Sequence, residues 1–472
     1  MSAAARRHLV VVGGGITGLA AAWQAVGRGD VDVTVLEATD RVGGKIRTSE
    51  LDLGDGHTMR IDEGADAFLA RVPEAVQLCH ELGLSDVLTQ PAIGRAKVFV
   101  DGSLQFLPGD SVLGVPLHPA SLAESGLLSD FGAAQAAAET SSDAPAPSGD
   151  VAIGPFLTEH YGGELVDRVV GPLIGGINAG DVDRLSLEAV TPQLAAAAAD
   201  GGSLSLALRR RQAAAPTTGP VFHALLDGTG SLVDALRDAL VDAGATIRQG
   251  SRAIQVSGTA LSGTGGSGAT VTLADGGTVD ADAVVLCTPA PAAAAALSGL
   301  SPDAATLLAE IDHSSVVLVT FAFRLGDVPG ELDASGFLVP RTEGLLMTAA
   351  SWGSSKWAHW DDGRHVILRV SAGRAGDDRQ GELDDDALVR ALLEDLHTTM
   401  GVTAAPTATR VSRYPNGFAQ YEVGHLDRVA AIDATLERDC PSVVVAGAAY
   451  RGVGIPACIR QGREAVTRVL GD

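Results

Sequence analysis

The chain has 472 residues, 46% apolar and 19% charged, a balance that suits packed globular domains and excludes a disordered or fibrous chain. Asp and Glu number 58 against 34 Lys and Arg, a formal net charge of −24. That excludes the basic footprint a nucleic-acid partner needs and gives little electrostatic hold on an anionic membrane surface.

In chain order, residues 1–7 run straight into a strand and leave no room for a secretion signal. The spacing predicts a strand over 8–12, a turn at Gly13, Gly14 and Gly15, a helix over 16–26 and a buried strand over 31–36. This is one βαβ unit, with Gly13-x-Gly15-x-x-Gly18 opening its helix. The first glycine permits the tight turn, the second lets a diphosphate approach the backbone, and the third brings helix and strand close. Ile16 and Thr17 then present N–H groups at the positive end of the helix dipole. Glu37, followed by Ala38, ends the second strand where a carboxylate accepts from ribose hydroxyls. Glycine turns alone are common; strand, helix and acid together make this a dinucleotide site for FAD or NAD. Arg41, Gly44 and Lys45 follow directly, a basic pair and a glycine suited to a second grip on the diphosphate.

Residues 131–150 are Ala-, Ser- and Pro-rich and are expected to form a mobile loop, and 211–219 a second soft stretch. Between them, 151–193 has helical spacing broken by Gly and Pro. The pattern then returns to α/β: a helix over 231–243, a strand over 246–256, a loop over 258–268, a hairpin arm over 270–273 and a buried strand over 283–286. Further strands are expected over 316–323 and 366–370, a helix over 384–397, a last strand over 442–446 and a final helix. The most apolar run, 283–300, is interrupted by Pro289 and Pro291 and is no membrane span. The four cysteines and eleven histidines lack metal-ligand spacing, so no metal is expected, and the cysteines read as small buried hydrophobes in a reducing, cytoplasmic setting.

The run VVVGGGITGLAAAW with VTVLEATDRVGGKIRT resembles the start of the amine-oxidase and porphyrinogen-oxidase superfamily of flavoproteins. Four more stretches are similar to that family: 61–69 (IDEGADAFL), 171–187 (GPLIGGINAGDVDRLSL), 414–428 (YPNGFAQYEVGHLDR) and 443–466 (VVVAGAAYRGVGIPACIRQGREAV). The 171–187 stretch points to the porphyrinogen-oxidase branch, nearest the bacterial coproporphyrinogen III oxidases. The resemblance implies FAD held non-covalently, with Gly64, Ala65, Asp66, Ala67, Ala253, Tyr414, Gly447, Ala448, Val453, Gly454 and Ile455 among its contacts. Relatives often carry Trp where Tyr414 stands, so that contact is the least secure carry-over.

The resemblance also implies a fold class, α/β and α+β. A Rossmann-like FAD-binding domain is expected from 1–85, 221–298 and 425–472, a substrate-binding sheet domain from 86–112 and 299–424, and an inserted helical subdomain from 113–220. The implied reaction is oxidation of coproporphyrinogen III by O2, with protoporphyrinogen IX as the alternative and an amine oxidase or carotenoid desaturase more distant. A non-enzymatic flavin-binding partner remains a third reading. Chemistry through a flavin needs no catalytic side chain. The propionates of such a substrate call for basic partners, and Arg71 and Lys356 are the candidates, each weighed against an ordinary surface charge. Trp352 and Trp357 either stack on a macrocycle or pack in the core. A peripheral membrane contact and a transient contact with a downstream ferrochelatase are compatible with this reading.

Overall fold

The computed structural model describes residues 6–54, 56–214, 219–260 and 267–471. Five parallel strands form one sheet, in the order Thr246–Arg248, Val31–Leu36, Arg7–Val12, Ala283–Leu286 and Val443–Val445. Their runs are almost wholly apolar because helices or a second sheet cover both faces. Alternate residues separate cleanly. Leu9, Val11, Val33, Val35 and Val285 pack under the helices Ile16–Val26, Gly230–Asp242 and Ile455–Leu470. Val10, Val12, Val284 and Leu286 face the helices Ala290–Leu297, Pro302–Ala309 and His425–Asp439 and the three-stranded sheet of 253–281. The chain builds outward from Arg7–Val12 in one direction, then returns to build in the other. That reversal opens a crevice beyond the strands' carboxyl ends.

A seven-stranded sheet runs Ala408–Ala419, His313–Arg324, His365–Ala372, Met347–Trp352, Gly336–Leu338, Lys97–Val100 and Ser103–Phe106. Phe321, Phe323, Leu368 and Trp352 on one face pack against Leu388, Leu392 and Leu396 of the helix Asp385–Met400. Val98, Val100 and, at its edge, Leu338 meet a helical body centred on Leu157, Tyr161, Val169 and Leu194. That body is pinned by Glu139, 2% exposed, which accepts from the Ser203 hydroxyl at 2.9 Å and from the Leu204 N–H. Among the described residues no helix is long and apolar enough to cross a membrane.

Four expectations need correction. Residues 131–150 are not all loop: a helix spans Asp130–Ala138, capped by the Ser129 hydroxyl on the Gly132 N–H. The alanines favour helix, and the Ser, Pro and Gly that suggest a loop are concentrated after 141. The stretch over 246–256 is two strands: Thr246–Arg248 joins the parallel sheet, whereas Ala253–Ala260 turns away into the antiparallel one. Apolar periodicity cannot reveal such a change of partner. The supposed loop over 258–268 keeps strand to Ala260 and resumes it at Ser267, with 261–266 outside the described residues. Likewise the helix Leu204–Ala214 occupies the start of the soft stretch 211–219, of which 215–218 lie outside the description.

Candidate functional site

The crevice is lined first by the glycine turn. Gly13 has φ +105°, and a Cβ there would sit 2.7 Å from the Cys287 carbonyl oxygen. A Cβ on Gly18 would fall 1.9 Å from the Gly13 carbonyl oxygen. Both glycines are therefore demanded by the protein's own packing. Gly15 is different: its φ is −70°, and among the described residues nothing lies within 4 Å of an added Cβ. The chain itself gives no reason for glycine there, and the open space lies at the helix N-terminus. Gly15 is the N-cap, no side chain caps the helix, and its first turn holds no acid. That end is thus left to an anion. Glu37 is 9% exposed and already accepts from the Gly14 N–H and from the Thr39 N–H and hydroxyl, each at 2.8 Å. Its carboxylate is fixed in place with lone pairs left for a ligand hydroxyl.

The last helix, Ile455–Leu470, repeats the device with Gly454 as its uncapped N-cap. Gly462 lets it press on the first helix, for a Cβ there would be 2.2 Å from the Thr17 carbonyl oxygen. Gly447, at φ +138°, lies with its Cβ position 3.7 Å from the Thr17 hydroxyl. Two helix N-termini, with Ile16, Thr17, Val453, Gly454 and Ile455, thereby flank one crevice. Tyr421 braces the loop between: its hydroxyl donates to the Ala448 carbonyl and accepts from the Gly452 N–H, both at 2.9 Å. His425 stacks on Tyr421 with ring centroids 4.0 Å apart and shares a hydrogen bond with the Tyr450 carbonyl at 2.9 Å.

Burial lowers the His425 pKa to about 4, partly opposed by the Tyr450 hydrogen bond. Between about pH 6.5 and 4 the unfolded chain therefore binds a proton that the native chain refuses. Stability is expected to fall as pH drops through that window, by up to about 1.4 kcal/mol per pH unit from this group. Urea unfolding at several pH values measures the slope, which His425→Gln should flatten.

The segment 62–67 crosses the crevice. Asp62 accepts from the Thr48 hydroxyl and from the Thr229 N–H, and the Thr229 hydroxyl shares its one proton between Asp62, at 2.9 Å, and the Ala65 carbonyl, at 2.7 Å. Gly64 is required, since a Cβ would sit 2.3 Å from the Lys45 carbonyl oxygen and 3.0 Å from the Tyr414 hydroxyl. Asp66 is clamped by Lys356 Nζ at 3.0 Å, Trp357 Nε1 at 2.9 Å and Arg369 Nη1 at 3.1 Å. Arg369, 6% exposed, also donates to the Gly64 carbonyl. Burial alone would raise the Asp66 pKa; Lys356 and Arg369 more than reverse it and hold the carboxyl well below the ordinary range. Ala67 packs beside Trp357 and Trp360.

Several candidate residues are otherwise engaged. Lys356 is held by Asp66, with its Nζ 3.0 Å from that carboxylate. Arg41 donates to the carbonyls of Val42, Gly44 and Ile46 and so shapes its own loop. Lys45 reaches the Gly417 carbonyl and lies 5.7 Å over the Phe418 ring. Gly44, at φ +58°, brings that loop against Gly15, with its Cβ position 3.3 Å from Gly15 Cα. Ala253 opens its strand two residues after Ser251, whose N–H donates to the Glu37 carbonyl at 2.8 Å. Arg71 is exposed and has no charged partner among the described residues. Trp352 and Trp357, at 1% and 0% exposure, are core. Sequence reasoning missed Thr229, Arg369 and Thr288, whose buried hydroxyl, beside Gly13, has no partner among the described residues. Thr229 had a signal in its flanking Gly228 and Gly230; Arg369 had none within its apolar strand.

The family described as flavin containing amine oxidoreductase matches residues 16–470. The chain belongs to that family. It is an FAD-dependent oxidoreductase. The cradle fits the cofactor: open space at Gly15, two uncapped helix ends and a fixed acid at Glu37 suit a dinucleotide. Among family relatives, coproporphyrinogen III oxidase of Bacillus subtilis (strain 168) is 34% identical over 98% of both chains. Coproporphyrinogen III oxidase of Mycobacterium tuberculosis (strain ATCC 25618 / H37Rv) is 35% identical over 98% of this chain and 97% of its own. A solved structure from Exiguobacterium sp. 255-15, named provisionally as a protoporphyrinogen oxidase, superposes with a TM-score of 0.85, 31% identity and 98% coverage of each chain.

Proposed function

We propose that the chain oxidises coproporphyrinogen III to coproporphyrin III in the cytoplasm, within haem biosynthesis, with O2 as the final acceptor and H2O2 as by-product. The observation that carries this reading is end-to-end similarity to relatives bearing that name, over 98% of the chain. Bound FAD would supply the acceptor for the three hydrides removed from bridge carbons and the route of their electrons to O2.

The chain's own residues then have to bind, orient and exclude water. Gly13, Gly14, Gly15, Gly18 and Glu37 would hold the dinucleotide, with Gly447, Ala448 and the N-terminus of the last helix at its other end. The 64–67 segment, held by Thr229, Arg369 and Lys356, would form a fixed wall. Loss of hydride leaves a cation spread over two pyrroles, so orientation matters more than a strong side-chain base. Each round removes one hydride from a bridge carbon and one proton; over three rounds two of the protons leave pyrrole nitrogens and the third leaves the remaining bridge carbon by tautomerisation, so four C–H and two N–H hydrogens are lost and the ring becomes aromatic. We assign 1–85, 221–298 and 425–472 to the cofactor unit, 86–112 and 299–424 to the substrate unit and 113–220 to the helical unit. Transient hand-over of product to a downstream ferrochelatase belongs to the same proposal.

Anaerobic mixing of the FAD-loaded protein with coproporphyrinogen III is expected to bleach the flavin absorption bands. Absence of bleaching overturns the reading. Protoporphyrinogen IX is the second reading, favoured by the name of the Exiguobacterium structure; faster turnover of that substrate would replace the first.

A further inference from the structure

An open cleft of about 500 Å³ lies at one end of the seven-stranded sheet, lined by Arg341, Arg374, Asp377, Asp378, Arg379 and Glu382. That is within the range of small-molecule sites, roughly 300–1,000 Å³. Its three arginines are not equally satisfied. Arg379 forms a two-pronged pair with Asp377, 2.8 Å at each oxygen, and donates to the carbonyls of Gly344 and Leu345. Arg341 gives one nitrogen to the carbonyls of Gly180, at 3.1 Å, and Ala375, at 2.8 Å, leaving the rest of its fork open. Arg374 is 9% exposed. Among the described residues its fork has only the Val339 carbonyl at 3.5 Å, and its Nε, without a hydrogen bond there, is 3.9 Å from the Asp377 carboxylate already held by Arg379.

A buried guanidinium so poorly partnered is costly unless an anion joins it. Burial and the neighbouring Arg341 lower its pKa to about 10. The acids do not fill the gap: Asp378 accepts from the Gln380 amide at 2.6 Å, and Glu382 is exposed at the rim. A path of hydrogen bonds runs from the residues beside the cleft to the candidate site. Ala179, left-handed at φ +47°, ends the helix Gly171–Asn178. Its carbonyl accepts from the Ala375 N–H at 2.8 Å and, on the other side, from the Gln420 amide at 3.5 Å. Gln420 precedes Tyr421, which braces the loop 448–452.

We propose that Arg374 and Arg341 form a carboxylate subsite that receives propionate arms of the tetrapyrrole. This rests on the porphyrinogen reading above and names a partner for its acids. A planar carboxylate matches the guanidinium fork, and an acidic chain needs such a local exception to admit a polyanion.

The test uses the FAD-loaded protein and the stable product. Coproporphyrin III and its tetramethyl ester are titrated separately into wild type, Arg374→Gln and Arg341→Gln, with porphyrin fluorescence as the readout. Arg341 is exposed, so its variant keeps the test alive if Arg374→Gln fails to fold. The tetra-acid is expected to bind each variant about tenfold more weakly, the ester equally well in all three. Millimolar propionate should compete with the tetra-acid in wild type only. Unchanged tetra-acid affinity in a folded variant overturns the subsite. If coproporphyrinogen III still bleaches the wild-type flavin in that case, the subsite alone has failed; if it does not, the function has failed too.

Discussion

Gly15→Asp is expected to give a folded but colourless protein. Gly15 is the N-cap of the first helix, with extended backbone and, among the described residues, no atom within 4 Å of an added Cβ. Aspartate is among the best N-cap residues, so its carboxylate would take the free N–H groups and stabilise the empty fold by a few tenths of a kcal/mol relative to glycine. The same carboxylate occupies and charges the space a diphosphate needs. Purified variant should carry less than about a tenth of the wild-type FAD, while its melting temperature stays within a few degrees of FAD-stripped wild type. Gly18→Ala is the contrast: its Cβ would lie 1.9 Å from the Gly13 carbonyl oxygen, so it should lose cofactor and fold stability together. A yellow Gly15→Asp protein with full flavin content would show that the diphosphate does not sit there.

The second large effect is at Asp66. Asp66→Ala removes the carboxylate that, among the described residues, is bonded to both Lys356 and Arg369, the latter 6% exposed. Removing one partner of a buried ion pair costs about 3–5 kcal/mol, because the other charge stays buried. A fall of about 3–5 °C in melting temperature is expected. Replacing Lys356 by Met in the same chain should restore part of the loss, since one unpaired charge disappears with it. The native carboxyl titrates below its unfolded value, so its contribution is present above about pH 4 and disappears as pH falls below that. Asp66→Ala should therefore narrow the stability gap to wild type in strong acid. An additive double variant would mean that Lys356 and Asp66 do not act as a pair.

The cofactor cradle was legible in the sequence because its requirements are local. Gly13, Gly18 and Glu37 lie within one βαβ unit, and tight turn, close approach and fixed acid each select a residue type at a set spacing. The C-terminal half was legible for the same reason, through Gly454, Pro456 and the apolar face of the last helix. Lys356 shows the limit. Its sequence neighbourhood offers a cation beside tryptophans, and only the fold places Asp66, 290 positions away, within 3.0 Å of it. Arg369 is still less visible, a buried cation in a strand of apolar residues whose partners come from the segment 64–66.

By itself, then, the sequence determined the nucleotide turn, the helices that open on it and the acid that faces it, since hydrogen-bond geometry within about 30 residues decides them. Tertiary structure alone decided which strand joins which sheet, as in the split of 246–256, and which charges are already paired. Pairing across hundreds of residues leaves no periodic trace, because any carboxylate brought within reach of a buried cation satisfies it equally well.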